Sequence, residues 1–398
     1  MISHRANYFF LWCFFGIIIQ EVRRLIYLDA SATTKVKNEV LDEFIKVQKE
    51  IIGNPNSSHQ LGEIANQKVV DATNQIANIL KVKPNEIIYT SGASESNNLA
   101  IKGVAFRKQN LGKHIITTRF EHPSTIGPLS WLTKLGFEID FVETDKEGKI
   151  DLNHLKELLR DDTILITISS VNSELGLIQP IDKIGKLLKA YPNCYFHVDI
   201  TQSIGKHEIS LKHIDLASLS AHKFYGIKGI GVLIKKENIE IEPLIHGGSS
   251  TTIYRSGTPS PALIASLAKA LELANNDLEN HEVKIKQLNT YLRTELTKYP
   301  DVLINSPDSA VSYILNFSVI GADPNKFQKL LSEKGVYLSV GTACATGYEV
   351  SPSVLALTKD EARASSSLRI SLTNDLEKVN LEEFIKIFNK CYNEIKKV

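Results

Sequence analysis

A lysine with polar neighbours separates two apolar runs near the middle of the chain. Residues 214–219 and 230–234 are mostly apolar, and Ser220-Ala221-His222-Lys223 follows the first of them. This pattern predicts a strand, a polar loop and a second strand, with Lys223 in the loop. A loop lysine is ordinarily a solvated charge, whereas a partly desolvated lysine has a lowered pKa and a nucleophilic amine. The residues that follow the other predicted strands decide between these interpretations.

Two further features suit the chemistry of such a lysine. The apolar run 195–198 ends in Asp199, and an acid at the end of a buried strand is costly unless it meets a cation. The run 87–90 leads into a turn of small residues and then a helix that ends at about residue 108. A helix start of that kind presents free backbone N–H groups, which suit a phosphate. Alternatively, Ser94 and Asn97 form an ordinary N-cap there.

Two side chains on other loops have both a chemical and a structural interpretation. His122 precedes Pro123, so its ring projects from a loop, either into a site or as a surface or capping histidine. Asn172 follows the apolar run 164–168. Its amide either binds a ligand or shapes the turn.

The same two interpretations apply to a thiol and a guanidinium in the last quarter of the chain. Cys344 lies among small residues at 340–348, where an exposed thiol is suited to attack a substrate; the alternative is an inert small hydrophobe. Arg369 lies in an alternating strand. It either clamps a carboxylate in bidentate fashion or forms a structural ion pair.

The elements that position these side chains are predicted by alternation. From about residue 85 to residue 235, short apolar runs alternate with amphipathic segments, which favours a largely parallel sheet with helices on both faces. Sites in such folds lie at the carboxyl ends of the strands. The phosphate-binding turn, Asp199 and Lys223 are therefore expected at one edge. Pyridoxal phosphate needs this set: a helix start for its phosphate, a carboxylate for its pyridinium nitrogen and a lysine for a Schiff base.

Composition bounds the class of protein. With 398 residues the chain is expected to form two domains, and 43% hydrophobic and 23% charged residues are typical of a soluble globular protein. A net charge of +1 argues against nucleic acid or a membrane surface as the main partner. The four cysteines are scattered without CxxC or Cys/His ligand spacing, so we expect no metal site, no disulfide framework and a cytoplasmic location.

The N-terminus departs from this composition. Residues 8–19 are almost entirely apolar, which is short of the about 20 residues that span a bilayer, and no small-residue cleavage site follows. Residues 1–24 are a membrane-associating extension, a buried extra strand or non-native sequence from a misplaced start. We favour the last, although Met1 is the only methionine.

The ordered set of motifs resembles the cysteine desulfurases, within the class V aminotransferase-like pyridoxal phosphate enzymes. The resemblance covers about residues 25–395. It is carried by residues 27–34, 53–55, 90–97, 121–122, 197–202, 220–223 and 255–258. It implies an α/β structure of fold type I, with a large domain that contains a mostly parallel seven-stranded sheet and a smaller α/β domain. The large domain is expected over residues 35–275, and the small domain over 25–34 and 276–398.

The resemblance also implies site roles, position by position. Lys223 would carry the cofactor, Asp199 would hold its pyridine nitrogen, and His122 would stack over the ring. Gln202 would bond the ring hydroxyl. The phosphate ligands would be Ala93, Ser94, Ser220, His222 and, from the other subunit of a homodimer, Thr258. Asn172 and Arg369 would bind the substrate carboxylate, and Cys344 would accept the sulfur.

The implied activity is removal of sulfur from L-cysteine, which gives L-alanine and a persulfide on Cys344. The sulfur would pass to acceptor proteins for iron–sulfur cluster assembly or tRNA thiolation, because the loop that carries Cys344 is long. A selenocysteine lyase, a cysteine sulfinate desulfinase, a plain aminotransferase and a scaffold that only docks acceptor proteins are the alternatives.

Four positions depart from the family pattern. Ala221 replaces the usual glycine before His222, Val340 and Thr342 replace serines in the cysteine loop, and Thr373 replaces a glycine after Arg369. The first substitution is tolerable unless the backbone there needs a positive φ. We expect these departures to leave the chemistry intact and to bear only on the loop dynamics and the partner preference.

Overall fold

The computed structural model describes residues 25–276, 278–341 and 350–396. Its strands, numbered in chain order, are β1 (Ile26–Tyr27), β2 (Ile87–Thr90), β3 (His114–Thr117), β4 (Glu138–Phe141), β5 (Thr163–Ser169), β6 (Tyr195–Asp199), β7 (Leu216–Ser220), β8 (Gly231–Lys235), β9 (Val302–Ile304), β10 (Ile314–Val319), β11 (Val336–Tyr337) and β12 (Ser367–Ser371). The helices are α1 (Asn38–Glu50), α2 (Gln60–Leu80), α3 (Ala93–Lys108), α4 (Pro123–Thr133), α5 (Leu152–Leu158), α6 (Ile181–Leu187), α7 (Pro261–Asn276), α8 (Leu278–Leu296), α9 (Pro324–Glu333), α10 (Pro352–Thr358), α11 (Glu361–Ser365) and α12 (Lys378–Ile395).

Seven of these strands form one central sheet in the order β2-β8-β7-β6-β5-β3-β4. The strands from β7 to β4 in that order pair in parallel, whereas β8 is antiparallel to both of its neighbours. β2 therefore runs in the same direction as the parallel strands. Their carboxyl ends meet at one edge, which is where ligands bind in such sheets. The predicted mostly parallel, seven-stranded α/β sheet is confirmed.

Both faces of this sheet are buried, as expected for parallel strands covered by helices. β8 shows the alternation most simply, because Val232 and Ile234 belong to one apolar core and Leu233 belongs to the other. The first core includes apolar side chains of α2, α6 and α7. The second includes those of α3 and α4. Packing on both faces fixes the register of each strand and therefore the position of the loop that follows it.

A separate apolar core lies in the last third of the chain. β9, β10 and β12 form an antiparallel sheet in the order β12-β10-β9, and β1 pairs in parallel with β11. Phe317, Phe327 and Phe388 lie in its core together with Ile26 and Leu28 from the beginning of the described chain. Residues 26–28 therefore pack with the C-terminal part, and the segment that follows them leads back to the large sheet.

Two elements of the C-terminal part begin at identifiable local contacts. β10 begins at Ile314, whose N–H donates to the Val311 carbonyl in a turn. The last helix, α12, begins at Lys378, where Glu377 and Asn380 form a capping box. The predicted N-terminal extension, residues 1–24, lies outside the described residues. None of the helices described is long and apolar enough to cross a membrane.

Candidate active site

A cavity of about 390 Å³ lies at the carboxyl edge of the large sheet. It is bordered by the residues that follow β2, β5, β6 and β7, together with the turn after β1 and part of β12. The predicted site residues that line it are Ala93, Ser94, His122, Asp199, Gln202, Ser220, His222, Lys223 and Arg369. Side chains from distant parts of the sequence therefore share one enclosed space.

Lys223 ends a one-turn 3₁₀-helix, Ala221–Lys223, directly after β7. Its Nζ donates to the carbonyl oxygens of Ser31 at 2.6 Å and Ala32 at 2.9 Å. These acceptors lie in the turn that follows β1. The amine is therefore held by backbone oxygens at the wall of the cavity, and the interpretation of Lys223 as a solvated loop charge is excluded.

Asp199 is the last residue of β6 and is 7% exposed. One carboxylate oxygen accepts from Asn97 Nδ2 at 2.8 Å, and the other accepts from the Thr201 backbone N–H at 2.9 Å. Both donors are neutral. Within the described ranges no lysine or arginine forms an ion pair with Asp199. A buried carboxylate in that situation favours a cationic partner from the cavity side.

His122 caps α4 and also faces the cavity, so both of its predicted interpretations hold. Its Nδ1 accepts from the Ser124 backbone N–H at 3.1 Å and lies 2.7 Å from the Ser124 hydroxyl. Because Nδ1 accepts from a backbone N–H, it carries no proton, and the Ser124 hydroxyl, which accepts from Asn97 Nδ2 at 2.9 Å, donates to it. The ring proton of the neutral tautomer is therefore on Nε2. Burial lowers the pKa of His122, which favours the neutral form.

The start of α3 has the geometry of an anion site. Its N-cap is Gly92, with φ of 154° and no side-chain cap, so Ser94 and Asn97 do not form the N-cap that the sequence allowed. The backbone N–H groups of Ala93 and Ser94 lack intrahelical acceptors at this end. A Cβ on Gly231 would lie 2.7 Å from the Gly92 Cα, so glycine on β8 lets the two segments approach closely. The positive end of the helix dipole therefore points into the cavity.

The cavity wall near this helix start carries one hydroxyl group, from Ser220, and one imidazole group, from His222. Ser220 Oγ lies close to Gly92, 3.4 Å from where a Cβ on that glycine would be. His222 Nδ1 lies 3.1 Å from Thr33 Oγ1, and burial, with the nearby Lys223 charge, lowers the pKa of His222 to about 4. Both side chains are therefore neutral hydrogen-bonding groups beside the α3 N-terminus.

Arg369 lies on β12 and is 1% exposed. Its Nη2 pairs with Asp29 Oδ1 at 2.6 Å, and its Nη1 donates to the Ser173 carbonyl at 3.1 Å. The buried Nε atom has no hydrogen-bond partner. Arg369 therefore forms the structural ion pair that was one of its two predicted interpretations, and it also lines the cavity. The clamping of a carboxylate stays a prediction.

Two of the predicted residues that the structure describes, Asn172 and Thr258, do not line the cavity. Asn172 is buried, and its amide shapes the turn: Oδ1 accepts from the Glu174 and Leu175 backbone N–H groups, and Nδ2 donates to the Phe120 carbonyl. Thr258 is exposed and does not line the cavity. Cys344 lies outside the described residues, as does Thr342.

Sequence reasoning assigned no function to several residues that complete the site. Asn97 lies in the motif at residues 90–97, where its type and spacing predict only a cap. The carbonyls of Ser31 and Ala32 hold Lys223, and Asp29 pairs with Arg369. Asp29, Ser31 and Ala32 all lie in the motif at residues 27–34, which is the sequence signal that could have identified them. Ala221 has no positive φ, so its methyl group replaces the usual glycine without backbone strain.

Several known proteins are similar to this chain in sequence and in fold. The family model described as "Aminotransferase class-V" matches residues 26–384. The curated "Cysteine desulfurase IscS" of Dictyoglomus turgidum is 37% identical over 382 residues, which cover 95% of this chain and 97% of that protein. A solved "NIFS-LIKE PROTEIN" has a TM-score of 0.87 at 33% identity and covers 94% of this chain and 100% of its own. The structure "SspA in complex with cysteine" has a TM-score of 0.77 at 34% identity and covers 87% of this chain and 98% of its own.

Proposed function

The chain belongs to the class-V aminotransferase family, and from that premise we propose how its residues remove sulfur from L-cysteine. The protein is a pyridoxal phosphate-dependent cysteine desulfurase, as are the curated relatives that it matches over nearly its whole length. The observation that carries the residue assignment is the shared cavity. Lys223, Asp199 and the uncapped start of α3 all border it.

The residues present fit the cofactor. Asp199 is a buried carboxylate with only neutral donors, which suits the protonated pyridine nitrogen. The backbone N–H groups of Ala93 and Ser94, with the Ser220 hydroxyl, suit a phosphate. We assign Gln202 to the ring hydroxyl and Lys223 to the aldehyde carbon. When bound, pyridoxal phosphate supplies an electron sink for the carbanion that forms at the substrate Cα.

The chain's own groups then bind the substrate and move its protons. We assign Arg369 to the carboxylate of L-cysteine, since it lines the cavity and an arginine fork matches a carboxylate. The Lys223 amine, once free, accepts the Cα proton. We assign His122, whose Nε2 carries the ring proton, to the donation of a hydrogen bond or a proton to the substrate or the cofactor. Asn172 acts indirectly, because it fixes the turn whose Ser173 carbonyl holds Arg369.

We assign the sulfur acceptor to Cys344. Its thiolate attacks the sulfur of the substrate, the carbon–sulfur bond breaks, and its electron pair returns to the alanine carbon, which gains a proton. The enzyme then holds a persulfide that a reductant or an acceptor protein removes. The support is the motif around Cys344 and the cysteine complex of SspA. Acceptors for iron–sulfur assembly or tRNA thiolation are proposed on the same family resemblance.

We further propose a homodimer in which Thr258 reaches the partner's phosphate. Thr258 is exposed, and its segment is tied to the α1–α2 region by a hydrogen bond of 2.9 Å from Ser250 to Asn56. Exposed apolar side chains lie on and between these two helices: Leu41, Ile45, Ile52, Leu61 and Ile64. Such a patch supports an interface with a second copy.

The separate cores support the domain division proposed above, with residues 35–275 in one unit and residues 25–34 and 276–398 in the other. The buried free thiols of Cys194 and Cys391 support a reducing compartment, and we propose the cytoplasm.

Incubation with L-cysteine and a reductant tests the activity and the acceptor together. Alanine and sulfide are expected in equal amounts. Cys344→Ala should keep the cofactor's colour and release no sulfide from cysteine, whereas undiminished turnover would refute the acceptor assignment. Consumption of a 2-oxo acid would instead indicate an aminotransferase, and an intact cofactor with no alanine would indicate a scaffold.

A further inference from the structure

Lys206 lies behind the cavity wall, and the mechanism above does not use it. It lines a second, smaller cavity of about 100 Å³ with Tyr313, Tyr225 and Glu282. Its Nζ is 5.5 Å from the centre of the Tyr313 ring and 3.5 Å from Gln202 Oε1. Lys206 does not line the first cavity. Any effect that it has on the reaction therefore passes through Gln202 or through its charge.

The position is unfavourable for a lysine. Burial, with the nearby charges of Lys223 and Arg369, lowers the pKa of Lys206 to about 7. Among the residues that the structure describes, Glu282 shares this cavity, but no carboxylate forms an ion pair with Lys206. An ammonium removed from water without a counter-ion costs free energy of folding. Residues that lower stability in this way are often kept for function.

The contact with Gln202 fixes the orientation of an amide. Lys206 Nζ donates to Gln202 Oε1, so the oxygen end of the amide faces Lys206. The nitrogen end then points the other way, where Nε2 donates to the Ser31 carbonyl at 3.1 Å. The Tyr313 hydroxyl donates to the Gln202 backbone carbonyl at 2.9 Å and holds the same residue from behind. The second hydrogen of Nε2 has no acceptor among the residues that the structure describes, and Gln202 lines the first cavity.

We propose that Lys206 is a positioning residue, which keeps the N–H end of the Gln202 amide toward the cavity so that it donates to the ring oxygen of the bound cofactor. This inference rests on the proposed assignment of Gln202. Reversal of the amide would turn an oxygen toward that ring oxygen and replace an attraction by a repulsion. The Ser31 carbonyl, which also accepts from Lys223, links this contact to the lysine that carries the cofactor.

The test compares two lysines in similar settings. Lys108 also lies over a tyrosine ring, Tyr195, and burial lowers its pKa too, but it bonds to the Asn193 carbonyl before β6 begins. It is therefore at the opposite edge of the sheet. Holoenzyme carrying Lys206→Met should bind the cofactor roughly tenfold more weakly, with a shifted visible absorption band. Lys108→Met should keep the wild-type band and affinity.

Stability separates positioning from a merely structural function. Lys206→Met should unfold at the wild-type temperature or above it, since it removes an unpaired charge. Lys206→Arg, which keeps a donor, should show the wild-type absorption band. If Lys206→Met is not recovered folded, Lys206→Leu, which also lacks a donor, replaces it with the same expected shift. A wild-type band and affinity in the neutral variant would overturn the inference.

Gln202→Leu distinguishes failure of this inference from failure of the site assignment. If Gln202→Leu shifts the band and Lys206→Met does not, only the positioning function of Lys206 is wrong. If Gln202→Leu leaves the band and affinity unchanged, the assignment of Gln202 is itself wrong. The inference predicts that Lys206→Met adds little to Gln202→Leu, because both act through one contact.

Discussion

Asn97 donates its side-chain amide to Asp199 across 2.8 Å, from a helix to the end of a strand 102 residues later in the chain. The same nitrogen donates to Ser124 at 2.9 Å, and Ser124 in turn donates to His122. One amide therefore orients the carboxylate that would hold the pyridine nitrogen and, through Ser124, also supports the histidine. Because hydrogen bonds in such a network are shared, loss of this amide should disturb both.

Asn97→Ala should lower cofactor affinity and turnover by roughly tenfold to a hundredfold, the range typical when a group that orients a ligand is removed. The adjacent Asn98→Ala is the matched control, since Asn98 donates only to the Ser94 carbonyl on its own helix. Cofactor titration and steady-state kinetics measure both effects. Equal behaviour of the two variants would show that Asn97 only stabilises α3.

Arg369→Lys should raise the KM for L-cysteine by at least about tenfold and leave the cofactor's absorption band in place. A lysine cannot reproduce the fork that meets Asp29 on one side and a carboxylate on the other. Kinetics across a range of cysteine concentrations check this. An unchanged KM would show that Arg369 does not bind the substrate carboxylate and serves only in the ion pair with Asp29.

Asp29→Ala should lower the free energy of unfolding by about 3 kcal/mol, because it leaves the guanidinium of Arg369 buried beside the Ser173 carbonyl without its counter-ion. Chemical denaturation of the apoprotein measures the change. The double variant Asp29→Ala/Arg369→Met should recover much of the loss, and purely additive effects would show that the two residues are not coupled.

Glu121 should make stability depend on pH. Burial raises the pKa of this carboxyl to about 7, against its ordinary value of 4.5, and Thr118 and Ser169 donate to it. The folded state holds the Glu121 proton more tightly than the unfolded state does. The protonated carboxyl therefore contributes to the free energy of unfolding in full below the unfolded pKa. This contribution is lost as the pH rises through the pKa of the folded state.

The advantage of wild type over Glu121→Gln should therefore shrink between about pH 5 and about pH 8, by up to about 3 kcal/mol. Urea unfolding at several pH values measures it. Glu157→Gln, which changes an exposed carboxylate, is the control. Its free energy of unfolding should depend on pH in the same way as that of wild type. Parallel curves for Glu121→Gln would show that the carboxyl ionises normally.

The elements and the chemistry of the strand ends were predictable because they depend on local patterns. Apolar runs located β5, β6 and β7, and the parallel arrangement then placed Asp199 and Lys223 at one edge. Each of these inferences needs only a run of residues and the residue that follows it.

Long-range contacts were not predictable in this way. The Ser31 carbonyl that holds Lys223 is 192 residues away in sequence, and Asp29 is 340 residues from Arg369. Both contacts depend on β1 packing with the C-terminal part of the chain. Asn172 shows the converse, since its turn-shaping function was one of two local alternatives and only its hydrogen bonds distinguished them.

The covalent attachment of the cofactor tests the central claim most directly. Holoenzyme reduced with borohydride, digested and analysed by mass spectrometry should carry the pyridoxyl group on Lys223. The neighbouring Lys206 and Lys228 should be unmodified, and the label should be absent from Lys223→Ala. A pyridoxyl group on either neighbour, or none on Lys223, would contradict the account.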